Sequence, residues 1–374
     1  MLSQVSSRIL DIEKSLIRQI YDSAPSDAIN LGLGEIQFPM TDFLKEKAAE
    51  LIHSTAFYYT PNAGLSELRE SVAHYYNDDL NANGVCIMNG AEEALYATLT
   101  TFIDTGDKVV IVEPYYPAYN SIVRMLGGIP ISLPLDSDNQ FSLNLALLQE
   151  TLKQKPKCMI FSHPSNPLGT VFTREEMQAI VAACRQNDVI LIVDEVYREL
   201  SLDTPIPSFY GSYEKLLVIS GVSKSHCMTG WRIGWVIGKP EHIQPIIITH
   251  QYISTCAGNL GQRLATQALS EQGMRSISRL NDSLRTNYFV CMETLCHLNQ
   301  IEIVKPTAAF YLFLKLGCDD LEFSRSLAER GLITAPGRAF GKLGTGWLRI
   351  SYGLGMAKLE KGLEILVNAY HICH

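Results

Sequence analysis

Hydrophobic positions follow three rhythms along this chain. Between residues 85 and 238, short apolar runs alternate with longer amphipathic stretches. The runs are Val85–Met88, Val109–Val112, Met159–Phe161, Val189–Val193, Leu216–Ile219 and Ile233–Ile237. Helical spacing fills the gaps near 91–103, 117–126, 142–153 and 174–187. Strands this short and this apolar, separated by helices, predict a mainly parallel sheet sandwiched by helices. Before them, Val5, Ile9, Ile12, Leu16, Ile17 and Ile20 recur at helical spacing, which predicts one helix over 5–21. Two more helices are predicted over 42–53 and 66–76. Beyond residue 240 the chain reads as helical to about 300. Then Phe310–Leu314 and Trp347–Ser351 read as strands, and Phe323–Arg330 and Ala357–Ala369 as helices. These end regions have α+β character. Chain ends in compact domains tend to lie close together. We therefore expect a small α+β domain from residues 1–45 and 286–374, and a larger α/β domain over 46–285.

Composition narrows the function. Hydrophobic residues make up 47% and charged residues 19% of 374, enough for a substantial core. The net charge is −8 and no basic run occurs, which argues against nucleic acid and anionic membrane surfaces as partners. No apolar run is long enough to span a bilayer, and Met1–Ser26 is too polar for a secretory signal. The nine cysteines are scattered, with no Cys-x-x-Cys spacing. An odd, unpatterned set points to reduced thiols and a cytoplasmic home, and leaves no reason to expect a metal site.

In parallel sheets of this kind, ligands bind beyond the carboxyl ends of the strands. Met88 is followed by Asn89-Gly90-Ala91-Glu92, small residues opening a helix, where free backbone N–H groups can cradle a phosphate. After Val112 comes Glu113-Pro114-Tyr115-Tyr116, an aromatic face. Phe161 leads to Asn166-Pro167-Leu168-Gly169, and Val193 to Asp194-Glu195-Val196-Tyr197. Ile219 leads to a loop with Lys224 and, eight positions on, Arg232. Each motif alone has a packing explanation. Five on one edge do not.

The set describes one chemistry. A lysine past a buried strand, with its pKa lowered, is a nucleophile for carbonyl groups. A neighbouring carboxylate can hold a pyridinium nitrogen protonated and make the ring an electron sink. A phenol and an amide can bond a ring hydroxyl, and an aromatic face can stack on the ring. A glycine-started helix and an arginine can bind a phosphate ester. Together these are the parts of a pyridoxal phosphate site.

The order and spacing of these segments resemble the fold-type I, class I/II aminotransferases along nearly the whole chain. The resemblance also takes in Tyr59-Thr60-Pro61-Asn62-Ala63-Gly64 and Arg349-Ile350-Ser351. It implies an enzyme that moves an amino group between an L-amino acid and a 2-oxo acid, working as a homodimer with shared sites. It gives Lys224 the cofactor's aldehyde and the proton shuttle, Asp194 the pyridine nitrogen, and Tyr197 and Asn166 the ring oxygen. Tyr116 would stack on the ring. Gly90, Ala91, Glu92, Arg232 and a partner's Tyr59 would meet the phosphate. Arg349 would clamp the substrate carboxylate, beside Gly34. The family often has cis peptides where Glu113–Pro114 and Asn166–Pro167 stand here.

The chain departs from the family at Gly221, where many members carry a phosphate-binding serine that Ser220 or Ser223 would replace, and at His226 and Cys227. His226 is expected to be structural. Side-chain specificity is expected near 15–40, 250–260 and 335–342, with Arg18 and Arg338 read as solvated. Two rivals share the motifs. One is a carbon–sulfur β-lyase of the same fold. The other is a sensor that binds cofactor and amino acid without turnover, against which the missing basic patch argues.

Overall fold

The computed structural model describes residues 5–10, 12–76, 79–298 and 301–373. Residue 11 of the predicted N-terminal helix, residues 299 and 300 of the long helical stretch, and residues 1–4 of the predicted small domain lie outside the described residues.

The N-terminal segment departs from the single helix predicted over 5–21. It forms two helices, Ser7–Leu10 and Leu16–Ser23. Ser15 starts the second by accepting the Arg18 backbone N–H on its hydroxyl, an N-cap that competes with continuation through the position. Ile17 and Ile20 are buried, whereas Ile9 and Leu10 are exposed, so only the second helix follows the apolar stripe. A short strand, β1 (Ile29–Asn30), follows. The helices Asp42–Ser54 and Ser66–Tyr76 stand where the spacing put them.

The next strands are β2 (Val85–Met88), β3 (Lys108–Glu113), β4 (Ile129–Pro134), β5 (Cys158–Ser162), β6 (Ile190–Asp194), β7 (Leu216–Gly221) and β8 (Gly234–Gly238). They form one sheet in the order β2-β8-β7-β6-β5-β3-β4. Only β8 runs against its neighbours β7 and β2. The unforeseen strand is β4. It carries Pro130 and Pro134, which mask a strand pattern and are tolerated here because β4 lies at the sheet edge.

Side-chain alternation divides the sheet between two cores. Ile87, Val110, Met159, Leu191, Val218 and Trp235 pack on one face. Cys86, Ile111, Ile160, Ile192, Leu217 and Val236 pack on the other. Both faces are covered, which is why these strands read as continuous apolar runs. The covering helices are capped where the sequence allows: Thr173 and Glu176 form a reciprocal capping box on helix Arg174–Gln186. Asn144 caps helix Leu145–Leu152, so it begins later than the 142–153 pattern implied.

Three helices follow: Pro240–Ser254 packs on one face of the sheet through Ile243 and Ile246, Asn259–Ala268 packs in the core of the other face through Leu264 and Ala265, and Glu271–Leu295 carries the chain on to the small sheet. The chain then adds β9 (Glu302–Val304), β10 (Tyr311–Lys315), helix Asp320–Glu329, β11 (Leu332–Ile333), β12 (Ala335–Pro336), β13 (Trp347–Ser351) and helix Met356–Cys373. A separate antiparallel sheet has the order β12-β13-β10-β9, and β1 pairs with β11. The N-terminal strand thus joins the C-terminal region. β9, β11 and β12 have two or three residues each, too few for a period to show.

A buried charged network fixes the turn after β6. Glu195 accepts both the Ser208 hydroxyl and the Phe209 N–H (2.7 Å), and pairs with Arg198 at 3.5 Å. The Arg198 guanidinium lies against the rings of both Tyr75 and Tyr76, 4.5 and 4.4 Å from their centroids. Burial pushes the Glu195 carboxyl up to about 7 against the pull of Arg198. Removing one partner of such a pair leaves an uncompensated buried charge. Arg198→Ala is therefore expected to destabilise the protein by about 3–5 kcal/mol. The double variant Glu195→Gln/Arg198→Met should lose less than this, as read from urea midpoints. Equal losses would mean the pair is not the anchor of this turn.

Candidate active site

Strand register brings the functional residues together. Asp194, the last residue of β6, lies opposite Ser162 of β5 and Ile219 of β7. Gly234 at the start of β8 lies opposite both Gly221 and Met88. The ends of β2, β5, β6 and β7 therefore open on one level. Asn166 is tied back to this edge by its N–H, which donates to Ser162 Oγ at 2.9 Å. Lys224 sits in the short helix Val222–Ser225 directly after β7. Gly90 has φ +90°, and a Cβ there would run into the Arg232 guanidinium, so only glycine allows this turn and this approach. The loop from Lys224 holds two non-glycine residues in the left-handed region, Cys227 (φ 55°) and Arg232 (φ 53°). Such residues cost of order 1–3 kcal/mol each and cluster at functional sites.

A cavity of about 600 Å³ opens at this edge. Gly34, Ala91, Glu92, Tyr116, Asn166, Asp194, Tyr197, Lys224, Arg232 and Arg349 all line it. Gly90 stands directly behind, at the N-cap of helix Ala91–Phe102. Tyr59 is the exception: it does not line the cavity of its own chain, and 87% of its surface is exposed. Its loop leans instead on residues 255–259, through Asn62 to the Thr255 carbonyl (2.7 Å) and Asn259 to the Tyr58 carbonyl (2.8 Å). The Glu113–Pro114 and Asn166–Pro167 bonds are cis, as is His163–Pro164.

Lys224 Nζ donates to the Gly34 carbonyl at 2.6 Å. Burial pulls its pKa down to about 8, Arg232 and Arg349 push the same way, and Glu35 and Asp194 oppose them. Asp194 accepts the Tyr119 hydroxyl at 2.8 Å and the Val196 N–H at 3.2 Å. Burial nevertheless raises its carboxyl to about 6. Asn166 donates to Tyr197 Oη at 3.3 Å, and Tyr197 and Tyr311 share a hydroxyl contact of 2.9 Å. Burial raises Tyr197 well above its ordinary value, so it stays a neutral phenol. Tyr116 donates to Glu92 at 2.8 Å, which fixes its ring over the cavity wall.

Arg349 lies in β13, the middle of the small sheet, opposite Phe313 and Ala335. It is buried and donates to Asn166 Oδ1 (2.8 Å) and to the Gly32 carbonyl. Its Nε has no partner, and the rings of Tyr311 and Phe340 flank the guanidinium at 4.4 and 4.8 Å. Arg232 donates only to the carbonyls of Thr229 and Asn89. Among the described residues, no carboxylate lies within ion-pair distance of Lys224, Arg232 or Arg349, while Asp194 has no cation at that distance. Arg349 is buried and Lys224 and Asp194 are partly so, while Arg232 opens to the cavity mouth; charges withdrawn from water are stable only when paired. The cavity therefore fits a ligand that brings two anionic groups and one cationic nitrogen. A phosphate ester, a carboxylate and a protonated ring nitrogen meet that description.

Several functional positions were not legible beforehand. Tyr119, in the first turn of helix Pro117–Met125 whose N-cap is Tyr116, is the donor that orients Asp194. Tyr311 sits inside an apolar strand, and nothing marked it. Glu35 lines the cavity and accepts the Thr229 hydroxyl at 3.0 Å.

The departures from the family pattern also find reasons. A Cβ at Gly221 would lie 2.6 Å from the Ile233 carbonyl oxygen, so β7 and β8 approach too closely for serine. Ser220 donates to the Glu195 carbonyl, which leaves Ser223, a cavity residue, as the available hydroxyl. His226 does not line the cavity; it contacts Ser225 Oγ at 2.8 Å, and burial lowers its pKa to about 4. Arg18 lines the cavity, whereas Arg338, read as solvated, is ion-paired with Asp319 and Asp320 away from it.

No helix among the described residues is long and apolar enough to cross a membrane, and no cluster of metal-ligating side chains occurs among them. Residues 26–366 match the family model for aminotransferase class I and II. The chain is 32% identical to a Bacillus subtilis protein named "Probable N-acetyl-LL-diaminopimelate aminotransferase", covering 95% of this chain and 93% of that one. It is 31% identical to an aspartate aminotransferase of Pyrococcus abyssi, covering 96% of each. The crystal structure of an aromatic aminotransferase from Pyrococcus horikoshii superposes with a TM-score of 0.88 at 29% identity, covering 96% of this chain and 99% of that one. These similarities decide for transamination over the lyase and sensor readings. The chain belongs to the class I and II aminotransferases, enzymes that depend on pyridoxal phosphate to move an amino group between an amino acid and a 2-oxo acid.

Proposed function

We propose that this cavity is the whole transamination site of one subunit except for a single residue, and that its parts act as follows. The carrying observation is the convergence of three cations without ion-paired carboxylates around Asp194. Lys224 would hold the cofactor covalently through Nζ. Asp194 would face the ring nitrogen, Tyr197 and Asn166 the ring oxygen, and Tyr116 the ring face. The backbone of Gly90, Ala91 and Glu92, with Arg232 and Ser223, would take the phosphate. When bound, the cofactor supplies a ring that absorbs the electron pair left when the substrate's α C–H bond ionises.

The chain's own residues do the rest. Arg349 and Asn166 orient the substrate by its α-carboxylate, in the bidentate geometry a guanidinium favours. Lys224, once free, takes the α-proton on Nζ. A pKa lowered to about 8 leaves a usable fraction of neutral amine near neutral pH. Asp194, raised to about 6 by burial, is drawn back down by a cation at the ring nitrogen and so stays ionised. Tyr119 holds it in place.

Tyr58, Tyr59, Tyr252 and Ile248 are large apolar side chains left exposed, and the 58–62 loop is bonded to the 255–259 loop. That surface supports a homodimer in which the partner subunit's Tyr59 completes the phosphate site. Two lobes, 46–285 and 1–45 with 286–374, would flank the cavity, and the scattered cysteines support a cytoplasmic enzyme. Sedimentation should give twice the chain mass of 41.6 kDa; a monomer would remove the shared-site element.

Two outcomes test the assignments. Addition of single amino donors to the purified enzyme should consume the visible band of the bound cofactor and release one equivalent of 2-oxo acid. Lys224→Ala should abolish this reaction; a variant with normal turnover would mean another base. Asp194→Asn should keep the cofactor, because the phosphate contacts remain, and lose at least about 100-fold in rate. Normal turnover in Asp194→Asn would sink its role at the ring nitrogen.

A further inference from the structure

We propose that Glu35 is a second working carboxylate of this site, a positioning residue that keeps the free amine of Lys224 basic and in place. This role presupposes Lys224 as the cofactor-holding lysine. The stretch Gly34–Glu35 leans on the lysine loop at two points. Gly34 accepts Lys224 Nζ on its carbonyl, and Glu35 accepts the Thr229 hydroxyl on Oε1. Thr229 belongs to the loop that carries Lys224, so the exposed Glu35 carboxylate is tethered to that loop and lines the same cavity as the amine, one residue on from the carbonyl that accepts Nζ.

Four carboxylates line the cavity: Glu13, Glu35, Glu92 and Asp194. Asp194 is bonded by Tyr119 and the Val196 N–H, Glu92 by Tyr116, and Glu35 is held to the lysine loop by Thr229. The charged groups around Lys224 are Glu35 and Asp194, which favour its ammonium, and Arg232 and Arg349, which oppose it. Ligands change this balance in one direction. A phosphate masks Arg232, a substrate carboxylate masks Arg349, and a ring cation masks Asp194. Glu35 is left as the unmasked influence. Lys224 then faces a desolvated site that favours the neutral amine and one carboxylate that favours the ammonium. When the α C–H bond breaks, its proton forms a new N–H bond on Nζ and its electron pair stays on the carbon side. The ammonium so formed is stabilised by Glu35. Without that charge the lysine is a weaker proton acceptor.

The sign follows from the charge. A carboxylate raises the pKa of a nearby amine, so its removal lowers it. The test is competitive acetylation of the full-length chain freed of cofactor, across pH, read at the Lys224 peptide by mass. Wild-type reactivity should reach half its maximum near pH 8. Glu35→Gln keeps the acceptor for Thr229 and removes the charge, so its midpoint should fall by about one unit. Glu35→Asp should stay near wild type. Thr229→Val removes only the tether and should move the midpoint the same way by less, which keeps the test open if Glu35→Gln does not fold. In the holoenzyme, the acid limb of the amino-donor half-reaction should move down with it, while KM for the donor holds because Arg349 is untouched. Identical labelling midpoints in wild type and Glu35→Gln would overturn the role of Glu35 alone. Borohydride reduction of the holoenzyme fixes the cofactor to its lysine. A label on any lysine other than Lys224 would overturn the site assignment, and the role of Glu35 with it.

Discussion

Three cations share one cavity with no ion-paired carboxylate among the described residues, and much of the site's construction answers that imbalance. Taking a charge out of water is costly, and like charges at close range add to the cost. The protein offers partial compensation. Backbone carbonyls of Gly32, Gly34, Asn89 and Thr229 accept from Arg349, Lys224 and Arg232. The rings of Tyr311 and Phe340 present their faces to Arg349. Carbonyl dipoles and ring quadrupoles lower the cost without cancelling the charge. The remaining negative charge has to come from ligands. A ligand that binds only the folded state also stabilises it by mass action, so an imbalance that burdens the empty protein favours the loaded one.

The cations converge because of one reversal in the sheet. β8 runs against β7, and the chain between them never leaves the carboxyl edge. A parallel strand in that place would have needed a crossover, which would have carried the chain to the far edge before the next residue could act. The reversal lets Lys224 and Arg232 serve the same cavity from one loop. The close packing this demands is visible at Gly221, where the β8 backbone leaves no room for a side chain. The same reversal brings Gly234 level with Met88, so the helix opening at Ala91 faces the arginine.

Legibility in the sequence followed the length scale of each cause. Strands buried on both faces showed as apolar runs, and the residues at their ends were legible because chemistry and position coincided. Lys224, Asp194, Asn166 and Arg232 belong to this group. Where local capping competed with the apolar period, the reading failed, as at Ser15, which splits the N-terminal helix. Where prolines masked an edge strand, as in β4, no pattern survived. Tyr311 and Glu35 act through partners 114 and 194 positions away, so no local pattern could mark them. Arg338 looked solvated because its partners, Asp319 and Asp320, lie 19 and 18 positions earlier. Tyr59 is the inverse case. Its motif was plain, yet its own chain gives it nothing to do in the cavity.

The reaction itself explains why the fixed groups hold only what all substrates share. An amino-group exchange must accept two different acids in turn at one place. A clamp that also gripped the side chain tightly would favour one of them and slow the exchange. In the proposed roles, Arg349, Asn166 and Lys224 would address the carboxylate, the α-carbon and its proton. Selection among side chains would then fall to the rest of the cavity wall, with Ile12, Ile17 and Arg18 from the N-terminal segment and Ile122 and Met125 from helix Pro117–Met125. That wall mixes apolar side chains with the Glu13 carboxylate, the Arg18 guanidinium and the hydroxyls of Ser15 and Ser121. It is built partly from the N-terminal segment, whose helix the sequence pattern misplaced. The proposed chemistry would rest on the strand ends, and selectivity on the segment whose local structure is set by one cap at Ser15, where change would leave the strand register undisturbed.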